Sequence, residues 1–187
     1  SKEVINLSIG EPKLNADSKV LDILNKETNS FSNYPPMNAV PELSEAYRQY
    51  LKNHFGIENV VEDEVCLVAG TREGTFSIIQ ALFNKENVKE KPYVVMPNPF
   101  YQIYGGATTL AGGEAKFLDC PEEDNFQPDL DSLKSEDWQK CQILVLCSPN
   151  NPTGSVLPLS KLKDILNLAD KYDFYVVSDE CYVDLYT

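Results

Sequence analysis

Residues 143–154 read ILVLCSPNNPTG. The first four, Ile143, Leu144, Val145 and Leu146, are apolar without alternation, which predicts a strand buried on both faces, as in a parallel sheet. The run then breaks into Ser148, Pro149, Asn150, Asn151, Pro152, Thr153 and Gly154. That is more turn-forming residues in succession than a simple turn requires. Open α/β sheets bind ligands just outside the carboxyl ends of their strands. One stretch therefore predicts both a parallel sheet and a site at its edge.

Outward from there the pattern alternates. Leu159 to Asp173 has helical spacing and Phe174 to Val177 reads as a strand. Upstream, the residues predict a strand from Glu64 to Ala69, a helix from Thr71 to Asn84 and a strand from Tyr93 to Met96. An aromatic-rich helix or turn follows from Pro99 to Leu110, then a strand from Ala115 to Leu118 and a short helix from Asp129 to Asp137. Strands separated by helices predict an α/β fold, a mostly parallel sheet with helices on both faces. Nearer the N-terminus, Ala16 to Thr28 is a helix candidate and Phe31 to Val40 is irregular. Pro41 suits the first turn of a helix, with Leu43, Ala46, Tyr47, Tyr50, Leu51 and His54 on one stripe. Residues 1–40 read as an N-terminal arm, and 41–187 as the first part of a larger domain. The chain starts without Met and stops soon after a strand, so it reads as the front portion of a longer protein.

Composition narrows the function. The chain has 187 residues, is 42% hydrophobic and 24% charged, and carries a net charge of −13. Nucleic acid and anionic membranes attract clustered Lys and Arg, so neither is expected as a partner. No stretch is long and apolar enough to span a membrane. The five cysteines, Cys66, Cys120, Cys141, Cys147 and Cys181, are odd in number and show no CxxC spacing. They read as reduced, buried thiols of a cytoplasmic protein. The single histidine, His54, leaves few zinc sites and no triad with a better placed imidazole. It reads as a packed helix residue.

Three predicted strand ends carry candidate chemistry. In VAGTREGT, residues 68–75, a glycine joins a strand to a helix start, where backbone N–H groups and the helix dipole suit an anion. Gly70 permits close approach and Thr71 adds a hydroxyl; a ligand-free helix cap explains the same residues. The spacing is neither GxGxxG nor a Walker loop, which counts against a nicotinamide-dependent dehydrogenase. At the second strand end, Asn151 offers an amide donor aimed by Pro152 and Gly154. At the third, VVSDECY (residues 176–182), Asp179 ends an apolar strand. A carboxylate there needs a cation or several donors, and a protonated ring nitrogen is one such cation; a helix cap or a salt bridge is the other reading. Tyr182 lies three residues on. The aromatics of PNPFYQIY, residues 97–104, offer a flat face for a planar ligand, or ordinary core packing. A phosphate cradle, a carboxylate for a ring nitrogen, donors for a ring oxygen and a stacking face together suit a phosphorylated pyridine aldehyde.

In this order NPTG and SDECY resemble the class I/II, fold-type I aminotransferases that use pyridoxal 5′-phosphate. GTREGTFSIIQ (70–80), PNPFYQIYGGATTLAGGE (97–114) and CSPNNPTGSVL (147–157) extend the likeness, which runs from SIGEP at Ser8 to Tyr182. The resemblance implies an incomplete major domain of that fold. It implies that Gly70, Thr71 and Arg72 hold the cofactor phosphate and that Tyr101 stacks on the pyridine ring. Asn151 and Tyr182 would bond the ring's phenolic oxygen, and Asp179 would pair with the ring N–H. Gly10 and Asn151 would lie at the substrate, and Tyr34 would reach the phosphate of a neighbouring subunit in a homodimer. The substrates implied are an amino acid and a 2-oxo acid.

Two departures stand out. Ala39 replaces a glycine usual in the family. The family's cofactor-bearing lysine, in a Ser-x-Ser-Lys stretch beyond Asp179, is not among these residues, so the 187-residue chain alone is expected not to transaminate. Ser160-Lys161 mimics that motif. However, Lys161 stands before Asp179, at the start of a helix with Leu162, Ile165, Leu166 and Ala169 on one face, and reads as a solvated helix residue. Two alternatives remain: a family member acting on another amino acid (aspartate, aromatic or kynurenine-type), and a non-catalytic binding module with the same ancestry.

Overall fold

The computed structural model describes residues 4–5, 15–32, 34, 40–84, 86 and 91–185. They fall into two compact units, divided between Val68 and Ala69.

The first unit contains α1 (Ser18–Lys26) and α2 (Pro41–Phe55). Asp17 caps α1 by accepting the Lys19 N–H at 2.8 Å. Pro41 opens α2, where its missing N–H costs nothing, and Gly56 closes it in the left-handed conformation. His54 is exposed rather than packed; its ring lies 4.4 Å from that of Tyr50. The predicted strand from Glu64 to Ala69 does not form. Glu62–Glu64 is a turn of 3-10 helix, and Val65 is extended. From Val65 to Val68, half-buried and exposed residues alternate, but no described residue offers this segment a ladder. An extended backbone without a hydrogen-bonded neighbour is not a strand.

The second unit runs α3 (Thr71–Leu82), β1 (Tyr93–Pro97), α4 (Gln102–Ala111), β2 (Glu114–Leu118), α5 (Ser135–Trp138), β3 (Cys141–Cys147), α6 (Leu159–Tyr172) and β4 (Tyr175–Asp179). The predicted helix over 129–137 is two short pieces, a 3-10 turn at Leu130–Ser132 and α5. The four strands among the described residues are all parallel, in the order β2-β1-β3-β4. From β1 the chain steps to one side for β2 and then crosses back for β3, so the topology reverses between β1 and β3. The carboxyl ends of those two strands flank the crevice where such sheets bind ligands.

Each face of the sheet has its own helices, as the alternation of side chains demands. Val94 and Met96 of β1 join Ile143 and Val145 of β3 against Ile79 of α3 and Tyr104 and Ala107 of α4. Val95, Leu144 and Leu146 face the other way, onto Trp138, Ile165, Ala169 and Phe174. Helix α6 turns Ile165 and Ala169 inward; Leu166, expected on that stripe, is exposed and Leu168 packs in its stead. Lys161 is only partly exposed, and its ammonium lies 3.9 Å from Asp124. Of the cysteines, all free, only Cys141 is fully buried; Cys66 and Cys181 are exposed. No helix among the described residues is long and apolar enough to cross a membrane.

A register shift between β1 and β3 fixes the direction of α3. Tyr93 pairs with Cys141 but Val94 pairs with Ile143, so Gln142 is an extra residue in the ladder, and such a bulge re-aims its side chain. The Gln142 amide bonds both backbone groups of Asn84, accepting from N–H at 2.8 Å and donating to C=O at 2.7 Å. The end of α3 is thus pinned to the start of β3.

Candidate active site

Helix α3 has 12 residues, about 18 Å at ~1.5 Å per residue. From Gln142 to Cys147 the strand covers about 17 Å at ~3.3 Å per residue. Because α3 ends beside Gln142, its first turn reaches the level of the carboxyl ends of the strands. It lies on the face that also carries α4; a bond from Gln80 Nε2 to the Ala107 carbonyl, 2.8 Å, ties the two helices. Gly70, Thr71 and Arg72 therefore sit at the end of the sheet that carries the loops after β1, β3 and β4, on the face that also carries α4.

That first turn is built for an anion. Gly70 precedes it at φ 150°, and no side chain caps it. A Cβ added at Gly70 would meet nothing within 4 Å, so the space beside the backbone is open. Thr71 and Arg72 are exposed. Free N–H groups, the helix dipole and one guanidinium all favour negative charge here; Glu73, also in the first turn, opposes it.

Asp179 is the last residue of β4 and is half-buried. It shares a face with Val177, two residues back, and so points toward α4. The Tyr104 hydroxyl donates to its Oδ2 at 2.7 Å, and the Cys181 N–H donates to its Oδ1 at 3.2 Å. Both donors are neutral, and among the described residues no Lys or Arg pairs with this carboxylate. Its charge is felt around it. Burial first, and then Asp179, hold the Tyr104 phenol well above its ordinary range. The same two causes raise the Cys147 thiol and push that of Cys181 up to about 12. These groups stay neutral at physiological pH, and the carboxylate is the local charge.

Two of the other candidates meet each other. Asn151 Nδ2 donates to the Tyr182 hydroxyl at 2.8 Å, which brings together the loop after β3 and the turn after β4. The β3 loop is itself held by Asn150 Nδ2 to Thr153 Oγ1, 2.9 Å, and by the Gly154 N–H to the Asn150 carbonyl, 2.7 Å. Tyr101 caps the start of α4 and is 40% exposed; its ring stands at 89° to that of Tyr104, with centroids 5.8 Å apart. Tyr34, in the other unit, is 99% exposed. Gly10 and Ala39 lie outside the described residues. Tyr104 itself was missed as a site residue: its helical spacing with Ala107 and Thr108 announces burial, but nothing local announces a partner 75 residues away.

No group of three or more His, Cys, Asp or Glu residues placed to hold a metal ion occurs among the described residues. The residues present fit a different kind of ligand. A cradle with no Cβ stands at one end, and a carboxylate that meets, among the described residues, only neutral donors stands at the other.

Comparison with known families matches residues 2–187 to aminotransferase class I and II. Among curated relatives, an aspartate aminotransferase of Pyrococcus horikoshii is 31% identical over 182 residues, 97% of this chain and 45% of that protein. An LL-diaminopimelate aminotransferase of Syntrophobacter fumaroxidans is 29% identical over 185 residues, 98% of this chain and 46% of that protein. Among solved structures, an aminotransferase of Neisseria meningitidis superposes with a TM-score of 0.91 at 42% identity, over 99% of this chain and 47% of that one. The chain thus spans about half the length of the proteins it matches.

Proposed function

The chain belongs to the class I and II aminotransferases, whose cofactor is pyridoxal 5′-phosphate, and from that premise we propose that it supplies the cofactor cradle of an amino-group transferase. The observation that carries this reading is Asp179: a half-buried carboxylate met only by neutral donors, at the same end and face of the sheet as the open first turn of α3.

Each residue then has a task. The backbone of Gly70 and Thr71, with Arg72, holds the phosphate. Tyr101 covers one face of the ring. Asn151 and Tyr182 bond the ring's phenolic oxygen, and Asp179 meets the ring nitrogen and keeps its proton there. The bound cofactor supplies a positively charged ring that withdraws the electrons left when a substrate loses its α-proton. The chain's own contribution is to fix that ring's charge and tilt. Asn151 and, by the family resemblance, Gly10 would contact the substrate. Tyr34, with its ring wholly exposed, serves the phosphate of a second subunit in a homodimer. Residues 1–40 act as the arm of that dimer, 41–187 belong to the cofactor-binding domain, and the protein works in the cytoplasm.

For the substrates we favour glutamate as donor and N-succinyl-2-amino-6-ketopimelate as acceptor, a step toward diaminopimelate and lysine. The support is the resemblance of residues 70–80, 97–114 and 147–157 to N-succinyldiaminopimelate aminotransferase, together with relatives named for diaminopimelate. The relatives named for aspartate favour a second reading, with oxaloacetate as acceptor. The deciding experiment gives the full-length protein pyridoxal phosphate, glutamate and a panel of 2-oxo acids. The first reading expects the succinylated ketopimelate to have the highest kcat/KM, and a higher value for oxaloacetate gives the second. No turnover with any acceptor would leave only a binding module.

A further inference from the structure

We infer that Tyr104 is a positioning residue for the cofactor: its hydroxyl, 2.7 Å from Asp179 Oδ2, holds that carboxylate ionised and aimed, and so decides whether the shared proton stays on the ring nitrogen. This rests on the reading of Asp179 given above and goes beyond it, because Tyr104 is buried and its hydroxyl is engaged by the carboxylate.

The geometry leaves Tyr104 little other freedom. It is 1% exposed, the largest fully buried side chain described. Its backbone carbonyl accepts the Thr108 hydroxyl at 2.7 Å, and Tyr101 packs edge-on against its ring. The phenol is thus presented to Asp179 by a locked side chain on a packed helix. A half-buried carboxylate without donors tends to take up a proton. If Asp179 did so by drawing the proton from the ring, the ion pair would become a neutral pair and the ring would lose its positive charge. A donor on Oδ2 opposes this by stabilising the charged carboxylate, and the Cys181 N–H does the same on Oδ1. The Cys181 thiol, kept protonated beside the carboxylate, is also a donor to it, but an S–H is a weak donor, so the phenol is the stronger of the side-chain donors. The phenol is a dependable donor because burial keeps its own proton in place.

The test compares two cofactors on the full-length protein: pyridoxal phosphate, and its 1-deaza analogue, in which a C–H replaces the ring nitrogen. A hydrogen bond to a charged group contributes enough to change an affinity roughly tenfold. Tyr104→Phe, which keeps the ring, should weaken pyridoxal phosphate about tenfold and leave the analogue unchanged. With ring-15N pyridoxal phosphate, its nitrogen resonance should move toward that of unprotonated pyridine. A fluorinated tyrosine at position 104, a stronger donor of nearly the same shape, should keep wild-type discrimination between the two cofactors or increase it. Equal weakening of both cofactors by Tyr104→Phe, with discrimination lost in the fluorotyrosine protein too, would show that Tyr104 only packs and would overturn the inference alone. A wild-type protein that binds neither cofactor would overturn the proposed function and this inference with it.

Discussion

At residue 70 the backbone decides the identity. A φ of 150° with ψ of 158° belongs to a region that is nearly reserved for glycine. The open space around the missing Cβ means that a substitution there strains the chain without a clash. Gly70→Ala should therefore cost about 1–3 kcal/mol, measured by urea unfolding, and should weaken inorganic phosphate or cofactor binding as the first turn of α3 shifts. At Tyr182 the hydroxyl accepts from Asn151 at 2.8 Å. Tyr182→Phe removes the acceptor and, on the proposed reading, one of two donors to the ring oxygen. Its expected effect is a cofactor Kd about five- to tenfold higher, with little change in melting temperature because the site is near the surface. Equilibrium titration with pyridoxal phosphate reads the first and thermal unfolding the second. Residue identity in the sequence was enough to nominate Asp179, Asn151 and Gly70, since a carboxylate, an amide and a glycine at strand ends are costly or unusual there. It was not enough for Tyr104, whose role depends on where β4 ends relative to α4.

At the scale of elements, legibility followed how much of an element's stability is local. Helices α2, α3 and α6 announce themselves by period and by their first-turn residues, and β1 and β3 by unbroken apolar runs that only a doubly covered strand tolerates. The segment from Glu64 to Ala69 shows the limit. It has the composition and the alternation of a strand, but strand formation needs a neighbour, and a neighbour is not written in the segment's own residues. The bulge at Gln142 was equally hidden, although it sets where α3 points. That dependence gives a paired prediction. Ile79 on α3 and Ile165 on α6 are both buried, on opposite faces of the sheet. Truncation to alanine at either should cost about 2–5 kcal/mol. Only Ile79→Ala loosens the helix whose first turn is proposed to hold the phosphate, so it should also weaken the cofactor, while Ile165→Ala should leave affinity within about twofold at a temperature where both are folded, an expectation that follows from the independence of distant sites. Calorimetry with and without pyridoxal phosphate separates the two effects.

At the scale of the whole molecule, charge and buried acids govern the response to pH. The excess of carboxylates, a net charge of −13, keeps polyanions away, but buried thiols and a buried phenol set an alkaline limit. Burial pushes Cys141 from an ordinary 9.0 up to about 12, and Tyr104 is displaced in the same direction. A folded-state pKa above the unfolded one means that the native chain keeps protons the unfolded chain has already lost. Its contribution to stability is therefore complete below pH 9 and drains away as pH rises toward 12. For one such group the slope approaches about 1.4 kcal/mol per pH unit inside that window. Urea unfolding between pH 8 and 11, values chosen at roughly the edges of that window, should show stability level at first and then falling. Cys141→Ala will lower stability at every pH through lost packing, yet its curve should fall less steeply above pH 9. The difference in slope, not in height, is the quantity that isolates this thiol: parallel curves would mean that Cys141 ionises as easily in the folded chain as in the unfolded one, and that the β3 core admits water at its first residue.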